Sequence, residues 1–404
     1  MRDWSLKRVM KRGSRVAIVK DADIRRRTRK ALEILGGIDK IVDRGDKVFI
    51  KPNLVDASPL ETGEVVQPET VEVLAQEALN AGASEVIIGD TQTYWKMPNE
   101  TIRRYEELAK NLGVKFLDLK KHPFVKVKVE DPVFFREVRL SKILLESDVF
   151  INVPTLKTHV QYGITVAIKN MYGLIPPRDR GYYHAIYRVE EAIVDLYKAR
   201  RADLIVVDGT YTTLHIGPRP MEDYKETARL DLTLAGFDPV AIDTISARIL
   251  GVDPSTLRFL KWAEEKGLGT RSMDEIEIAG TPFDEAYYGK GVDIVSYANA
   301  RAKNSRFLNF GACTGCLQLV ADVMRFCENI SRGRKFLYVI GPGANEDEIR
   351  RNLRPDETLI LCGYCAAPTF YNGLRGHFVP GCPPRSEVLV KKIKEILKVY
   401  DPSS

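Results

Sequence analysis

Short apolar runs alternate with segments of helical periodicity over the first three quarters of the chain. The runs at 15–19, 47–50, 85–89, 148–153 and 203–207 predict buried strands. The segments at 69–81, 99–112 and 189–199 repeat apolar residues with helical spacing. This alternation predicts an α/β fold with a mixed or parallel sheet and helices on both faces. The segment 124–144 alternates polar and apolar residues and predicts an added strand or hairpin.

The last quarter of the chain repeats the α/β pattern on a smaller scale. The sequence turns polar at 299–305, so we place a domain boundary there, with an α/β domain at 1–300 and a smaller α/β module at 301–404. Apolar runs near Phe336 and Thr358 predict two strands of the module, and 386–399 predicts its closing helix. Asn345 and Glu348 have the spacing of a helix N-cap pair.

Composition and charge narrow the class of protein. The chain has 404 residues, 44% of them hydrophobic and 29% charged, as expected for a soluble globular protein of two or three domains. The net charge of +6 is too small an excess to indicate nucleic-acid binding. The chain lacks a run of about 18 apolar residues, and its basic start lacks the apolar stretch of a secretory signal. We therefore expect a cytoplasmic protein without a membrane or nucleic-acid partner.

Polar clusters directly follow four of the predicted strands. They contain Lys51 with Asn53, Asp90 with Thr91, Lys157 with His159, and Asp208 with Thr210. In open α/β sheets ligands bind outside the carboxyl ends of strands, so these clusters are expected to share one rim. Taken singly, a lysine or an aspartate after a strand is often only a solvated loop residue.

A fifth segment, 164–184, joins this rim with Lys169, Asn170, Arg178, Arg180 and His184. Together these residues predict an electropositive pocket for a small anionic substrate carrying a phosphate or carboxylate group. We assign substrate binding to the following residues: Lys51, Asn53, Asp90, Lys169, Asn170 and Arg178. The candidates for catalysis are Lys157, His159 and Asp208, of which His159 or Asp208 would carry a proton.

Five of the six cysteines lie in three C-terminal motifs: CTGC from Cys313, CGYC from Cys362, and PGCPP around Cys382. Thiolates are ligands for zinc and for iron–sulfur clusters. A zinc ribbon is one alternative, although 45 residues, 317–361, separate the two CxxC pairs, and it leaves Cys382 unexplained. The sixth cysteine, Cys327, has the surroundings of a buried thiol on a helix.

Two resemblances to known families rest on these motifs. CTGC, GYCA and VPGCPPRSE, within 307–400, resemble the cluster-binding signature of nickel–iron hydrogenase small subunits and of the related subunit of NADH dehydrogenase. That resemblance implies one 4Fe-4S cluster, held by the following residues: Cys313, Cys316, Cys365 and Cys382. Cys362 competes with Cys365 for the third position.

The second resemblance concerns residues 16–280. The segments KPNLV, VPTLKTH, ITVAIKNMYGLIP, VDGT and AGFDPVAIDTISARILG resemble the domain-of-unknown-function 362 family. The resemblance implies a domain that is paired with iron–sulfur modules and whose chemistry is unassigned. The hydrogenase-like module departs from the ferredoxin-like modules usual in that family.

The leading hypothesis is an iron–sulfur oxidoreductase that supplies single electrons to a small anion bound in the large domain. A redox partner protein is expected to exchange electrons with it. One alternative is an electron-transfer adapter that serves a separate reductase. Another is a non-redox enzyme with a structural cluster. The sequence leaves the substrate, the direction of the reaction and the oligomeric state open.

Overall fold

The structure is a computed structural model that describes residues 14–55, 59–91, 99–186, 188–214, 227–290, 294–371 and 374–399. The chain forms two compact units, one built from residues of 1–158 and 163–291 and the other from 159–162 and 292–404. The predicted boundary after residue 300 thus falls at the end of helix Ile294–Arg301, which belongs to the second unit. None of the described helices is long and apolar enough to cross a membrane.

The strands that precede residue 291 are β1 (Ser14–Lys20), β2 (Lys47–Pro52), β3 (Glu85–Asp90), β4 (Lys115–Asp118), β5 (Phe124–Lys128), β6 (Glu137–Ser141), β7 (Val149–Val153), β8 (Thr158–His159), β9 (Gly163–Ile164), β10 (Leu204–Thr213), β11 (Thr227–Gly236) and β12 (Ile276–Gly280). Eight of these described strands form one sheet in the order β12-β1-β11-β10-β7-β2-β3-β4. Only β11 runs antiparallel to its neighbours β1 and β10, so the sheet is mixed and mostly parallel. Strands β5 and β6 form a separate antiparallel pair.

The helices of the same part of the chain are α1 (Ile24–Leu35), α2 (Pro68–Asn80), α3 (Glu100–Leu112), α4 (Lys142–Glu146), α5 (Ala167–Asn170), α6 (Pro177–Ala185), α7 (Val189–Ala199), α8 (Pro239–Leu250), α9 (Arg258–Glu265) and α10 (Phe283–Ala286). Helices α1, α2 and α3 pack on one face of the sheet, while α5, α7 and α8 cover the other. Successive side chains of a strand point to opposite sides of the sheet. The helix layers on the two faces therefore bury the side chains of both. In β2, for example, Val48 and Ile50 face the α2 layer and Phe49 faces away from it.

The α/β fold class predicted from the periodicity is confirmed. Each of the five predicted strands and three predicted helices is present, with ends within two residues of those expected except that β10 continues to Thr213, six residues past the predicted end, and 124–144 contains the expected hairpin. Helix α8 begins at Pro239 because the Asp238 carboxylate accepts hydrogen bonds from the backbone N–H groups of Val240 and Ala241 at 2.8 and 2.9 Å. Pro239 then occupies the first helical position, where its missing N–H costs nothing.

The second unit contains α11 (Ile294–Arg301), β13 (Ser305–Asn309), α12 (Thr314–Asp322), β14 (Lys335–Ile340), α13 (Glu346–Asn352), β15 (Glu357–Cys362), α14 (Ala367–Tyr371), β16 (His377–Val379) and α15 (Ser386–Val399). Its four described strands form a parallel sheet in the order β13-β14-β15-β16. Asn345 caps α13 by accepting a hydrogen bond from the Glu348 N–H at 3.0 Å, as predicted. The parallel order places the carboxyl ends of all four strands at one edge.

Candidate functional site

Residues that follow β2, β3 and β7 meet segment 165–180 around a small cavity in the first unit. Its volume is about 80 Å³. The charged side chains that line it are Lys51, Asp90, Lys157, Lys169 and Arg180. Uncharged polar residues complete the wall: Asn53, Thr91, Thr165, Asn170 and Tyr172. The space suits a single phosphate or carboxylate group with a few attached atoms, because one water molecule occupies about 30 Å³ in the liquid.

Lys51, in β2, is almost completely buried at the floor of this cavity. Its ammonium group donates hydrogen bonds to the Asn170 side-chain oxygen at 2.7 Å and to the Pro52 carbonyl at 3.1 Å. The Asp90 carboxylate lies 3.4 Å from the same nitrogen. Burial lowers the pKa of Lys51, and the neighbouring Asp90 carboxylate opposes that shift. Lys51 is therefore held in place by groups of the protein.

Asp90, at the end of β3, is held by backbone groups as well as by Lys51. Its two oxygens accept hydrogen bonds from the Thr91 and Leu54 N–H groups at 2.7 and 3.0 Å. Gly173 packs directly against this pair, since a Cβ at that position would lie 2.3 Å from the Asp90 carboxylate and 2.8 Å from the Lys51 nitrogen. The glycine thus allows the segment after α5 to close over the Lys51–Asp90 pair.

Lys157 follows β7 and is also almost completely buried. Its ammonium group donates a 2.6 Å hydrogen bond to the Glu64 carbonyl. Burial lowers the pKa of Lys157 to about 8; the Glu64 charge opposes the shift and the Lys51 charge adds to it. Lys157 therefore remains mostly protonated near neutral pH.

Lys169 is carried by the short helix α5, and its surroundings differ from those of the other two lysines. Its nitrogen lies over the Tyr172 ring, 5.7 Å from the centroid, and the side chain is only partly buried. The pKa of Lys169 is lowered to about 7, mainly by burial and then by the nearby charges of Lys157, Arg180 and Lys51. An amine in this setting changes its protonation near neutral pH.

Asp243, in α8, fixes the position of α5. Its carboxylate accepts hydrogen bonds from the Ala167 and Ile168 N–H groups at 2.7 and 3.1 Å. Burial raises the pKa of Asp243 to about 7, against the effect of those two backbone donors. The local sequence around Asp243 does not identify this positioning role, because its partners in α5 lie 76 and 75 residues away along the chain.

Arg180 supplies the guanidinium group of the cavity, in place of Arg178, which was predicted from the sequence. Both residues lie on α6, but a separation of two residues turns a side chain by about 200° around a helix. Arg178 is consequently exposed and outside the cavity wall, and Arg180 is partly buried within it. The Tyr172 hydroxyl donates a 2.8 Å hydrogen bond to the Arg180 carbonyl and connects α6 to the wall.

The two predicted amides occupy the wall in different ways. The Asn170 side chain accepts from Lys51 and donates a 2.7 Å hydrogen bond to the Asn152 side-chain oxygen. The Asn53 amide donates to the Thr155 hydroxyl at 3.3 Å. Asn170 thus belongs to the frame that fixes Lys51, and Asn53 lines the cavity beside it.

Asp208, a candidate for catalysis, lies outside the cavity wall in a buried network. One carboxylate oxygen accepts hydrogen bonds from the Thr210 N–H and hydroxyl, and the other accepts from the Gln67 N–H at 2.6 Å. The Arg27 guanidinium, itself fully buried, lies 3.6 Å away and donates to the Thr210 hydroxyl. Both carboxylate oxygens therefore have structural partners. Asp208 was expected to line the cavity with the other candidates, and it does not.

His159 also does not line the cavity. It is buried in the segment 159–162 that groups with the second unit, where its ring packs against Tyr162 with centroids 4.6 Å apart. Its Nδ1 accepts a 3.1 Å hydrogen bond from the Gln161 N–H. These contacts give His159 a local packing role. The sequence did not reveal this role, because the position of His159 after β7 does not determine which way the chain turns.

In the second unit, the three cysteine motifs follow β13, β15 and β16, whose carboxyl ends share one edge of the small sheet. Gly315 lies so close to Pro383 that a Cβ would stand 2.8 Å from the proline ring. A Cβ at Gly363, which has φ of +86°, would stand 3.3 Å from the Gly381 carbonyl oxygen. These contacts bring the CTGC, CGYC and PGCPP loops together.

The thiols differ in burial and in their neighbours. The pKa of Cys316 is raised by a hydrogen bond with Cys313, then by burial and by the nearby thiols Cys362 and Cys365. Burial raises the pKa of Cys365, and the neighbouring Cys382 and Cys313 add to the shift. Cys362 ends β15 as a fully buried residue. Burial raises the pKa of Cys362, and the neighbouring Cys327 thiol adds to the shift. Cys327, buried as expected, and Cys362 therefore face the core of the module.

The donor set of Cys313, Cys316, Cys365 and Cys382 consists of thiols alone, which fits the chemistry of an iron–sulfur cluster. Three of these four are at least partly exposed, and Cys316 is buried. Across the described ranges, no group of three or more His, Cys, Asp or Glu side chains is arranged to hold a single metal ion. The cluster on these four cysteines therefore stays a prediction.

Comparison with known proteins places the cavity within a family. The family described as Domain of unknown function (DUF362) matches residues 48–248. The Thylakoid-associated protein sll1697 of Synechocystis sp. is 30% identical over 252 residues, which are 61% of this chain and 76% of that protein. The chain belongs to the DUF362 family.

The DUF362 match contains all of the charged residues that line the cavity, whereas the cysteine module begins after it. Among solved structures, the lactate racemase apoprotein from Thermoanaerobacterium thermosaccharolyticum aligns over 96% of this chain and 89% of its own. The two share 10% identity with a TM-score of 0.40, a level of likeness too low to assign an activity.

Proposed function

We propose that this DUF362 protein is an iron–sulfur oxidoreductase whose first unit binds a small anionic substrate. The observation that carries the proposal is the charge of the cavity, in which four cationic side chains accompany a single carboxylate. Burying like charges together is costly unless a counter-charge accompanies them. A phosphate or carboxylate group supplies that counter-charge and accepts hydrogen bonds from ammonium and guanidinium groups.

The cationic side chains have different parts in this proposal. Lys51 is committed to Asp90 and Asn170, so it contributes positive potential from the floor. Arg180 and Lys169 are partly exposed and would contact the anion directly. Lys157 remains a candidate for catalysis because it reaches the same cavity. The buried contacts of Asp208 favour a structural role for that residue.

The second unit would supply the redox chemistry. A 4Fe-4S cluster on Cys313, Cys316, Cys365 and Cys382 exchanges single electrons when bound. The converging loops and the all-thiol donor set support this assignment. A separate redox protein would exchange electrons with the cluster, in a cytoplasmic setting where thiols stay reduced. The cavity favours an enzyme over an adapter, because an adapter needs no anion-binding residues of its own.

Anion binding can be tested with Arg180→Met and with Arg178→Met as its matched control on the same helix. Titration calorimetry with phosphate, acetate and pyruvate at pH 6.5 should detect binding to the unmodified protein. Arg180→Met should weaken binding about 10- to 100-fold, because a hydrogen bond to a charged group contributes about 1.5–3 kcal/mol. Arg178→Met should leave the affinity unchanged. Absence of binding by the unmodified protein, or equal losses in both variants, would contradict the proposal.

A further inference from the structure

The closing helix of the second unit, α15, borders an open groove of about 700 Å³. One side of the helix is apolar and buried against the module: Leu389, Ile393 and Ile396. Three exposed lysines, Lys391, Lys394 and Lys398, follow one another at intervals of three and four residues and line the groove. With 3.6 residues per turn, this lysine stripe lies on the side of α15 opposite the buried residues.

The groove also contains an apolar part, formed by Phe326 and Val390. Phe326 belongs to a π-helical turn, Val323–Cys327, that follows α12, and 44% of its surface is exposed. The Arg325 guanidinium lies 5.8 Å from the centre of its ring. Exposed aromatic side chains in concave surfaces are typical contacts for partner proteins. A groove receives a protruding protein segment, whereas a lipid bilayer offers a flat surface.

The charge of the groove is predominantly positive. Glu395 is engaged by Lys392 at 2.8 Å. Across the described ranges, no residue forms an ion pair with the lysine stripe. The three charges of the stripe therefore outnumber that of Glu387, the other acidic residue of the lining. An acidic partner would have the complementary potential, which accelerates encounter and orients the two proteins.

The groove is close in sequence and in contacts to the cysteine loops of the same unit. Helix α12 begins directly after Cys313, and α15 begins four residues after Cys382. The Ser386 hydroxyl at the start of α15 donates a hydrogen bond to the Asp322 carboxylate at the end of α12. Four residues span at most about 14 Å, so the Ser386 end of the groove lies within that distance of Cys382.

We propose that this groove is the docking site of an acidic single-electron carrier protein that exchanges electrons with a cluster on the neighbouring cysteines. The proposal rests on the proposed redox function and deepens it by naming the chemistry of the partner and the surface that receives it. One electron lost by the carrier is gained by the cluster, and no bond forms or breaks. Interfaces of electron carriers are small and transient, so a few charges have a large effect on affinity.

Calorimetry of the full-length protein with an acidic plant-type ferredoxin tests the docking site. Lys394→Glu places a like charge against the ferredoxin and should weaken binding at least about tenfold at 0.1 M ionic strength. Arg351→Glu is the matched control, because Arg351 is an exposed residue of α13 outside the groove lining. At this ionic strength the Debye length is about 10 Å, so a charge remote from the bound partner is largely screened and the affinity should be unchanged.

Phe326→Ala tests the apolar part of the groove. Because Phe326 is partly exposed, its truncation should leave the fold intact and still weaken ferredoxin binding. The effect of Lys394→Glu should diminish as salt is added, whereas the effect of Phe326→Ala should persist, since salt screens charge but not apolar contact. A basic c-type cytochrome of similar size should not bind to the groove.

The outcomes separate this proposal from the proposed function. Absence of ferredoxin binding, or equal losses in Lys394→Glu and Arg351→Glu, would overturn the docking site. Binding to anionic phosphatidylglycerol vesicles in place of ferredoxin, lost in Lys394→Glu, would replace it with a membrane surface. Dithionite should reduce the cluster to the same extent in the unmodified protein and in Lys394→Glu. Groove-dependent ferredoxin binding by a protein without a dithionite-reducible cluster would refute the proposed redox function and still support the docking site.

Discussion

The cavity shows how the chemistry of one lysine depends on a few neighbours. Lys51 and Lys169 line the same cavity, yet the Asp90 carboxylate lies beside the first and the Tyr172 ring lies beside the second. A carboxylate partner favours the ammonium form, and an aromatic face gives a weaker compensation. The difference between the two residues therefore arises from their partners and not from residue type.

Binding of an anion without a carbonyl group, such as phosphate, should depend on pH through Lys169. The charged groups that line the cavity with it are Lys51, Lys157, Arg180 and Asp90. A bound anion favours protonated Lys169 and raises its pKa above the value of about 7 in the free protein. Below pH 7 the proton is already present, so Lys169 contributes no pH dependence. Above pH 7 a proton must be taken up, and affinity falls by up to about tenfold per pH unit.

Calorimetry in buffers of different ionisation enthalpy measures this proton uptake. It should increase between pH 7 and 8 in the unmodified protein and be smaller in Lys169→Met. Phosphate's own ionisation is taken into account by repeating the titration with a sulfonate, whose charge is constant over this range. An affinity for the sulfonate that rises with pH would contradict the assigned sign.

Among the elements, the segment from α5 to α6 completes the cavity because two features set its position. Asp243 caps α5 from α8, and Gly173 allows the following turn to lie against the Lys51–Asp90 pair. The Thr91 hydroxyl and N–H both donate to the Gly173 carbonyl, at 2.7 and 3.1 Å. The cavity wall is thus assembled from short elements that depend on contacts with strand ends.

Gly173→Ala should disrupt this wall. The added Cβ would overlap the Asp90 carboxylate and the Lys51 ammonium group, both of which are buried. We expect a loss of about 1–3 kcal/mol in the free energy of unfolding, as for other insertions into packed sites, together with weaker anion binding. Chemical denaturation and calorimetry measure the two effects.

Gly181→Ala is the matched control, because position 181 lies within α6 and has open space around it. Alanine favours a helix over glycine by about 0.5–1 kcal/mol, so this variant should be unchanged or slightly more stable. If the two variants have the same stability and affinity, Gly173 is not required for close packing.

The sequence was most informative where strand order alone positions a residue. Lys51, Asp90 and Lys157 could be placed together because parallel strands bring their carboxyl ends to one edge. Arg178 was chosen in place of Arg180 because the rotation of α6 depends on tertiary packing. His159 and Asp208 also follow strand ends, but the turn after β7 and the backbone donors around Asp208 depend on contacts remote in sequence.

At the scale of the whole molecule, the protein has two compact units. The cavity belongs to the first unit, and the cysteine loops belong to the second. Each site is assembled by contacts within its own unit, so damage to one site should leave the other assembled. This independence permits the anion-binding and cluster proposals to be tested separately in one full-length protein.

Cys365→Ala should abolish the absorption and the paramagnetic signal of the cluster in anaerobically prepared protein while retaining anion affinity. Cys362→Ala is its control and should retain the cluster, because Cys362 is buried beside Cys327 in the module core. Arg180→Met should show the reverse pattern, with weakened anion binding and an intact cluster signal. Cluster loss only in Cys362→Ala would exchange the roles of the two cysteines, and stoichiometric zinc without sulfide would refute the redox function.

The buried pair of Arg27 and Asp208 has a consequence for the evolution of this family. Removing the Arg27 charge leaves Asp208 without this cationic partner in the interior, at a cost of about 3–5 kcal/mol, and removing the Asp208 charge leaves Arg27 with the partly exposed Asp231, 3.6 Å away. A substitution of Arg27 or Asp208 alone is therefore destabilising while the other residue is retained. The two residues are expected to be inherited together or replaced together. An aspartate retained at position 208 across distant relatives would then reflect this mutual dependence, and its retention would not by itself identify a catalytic acid.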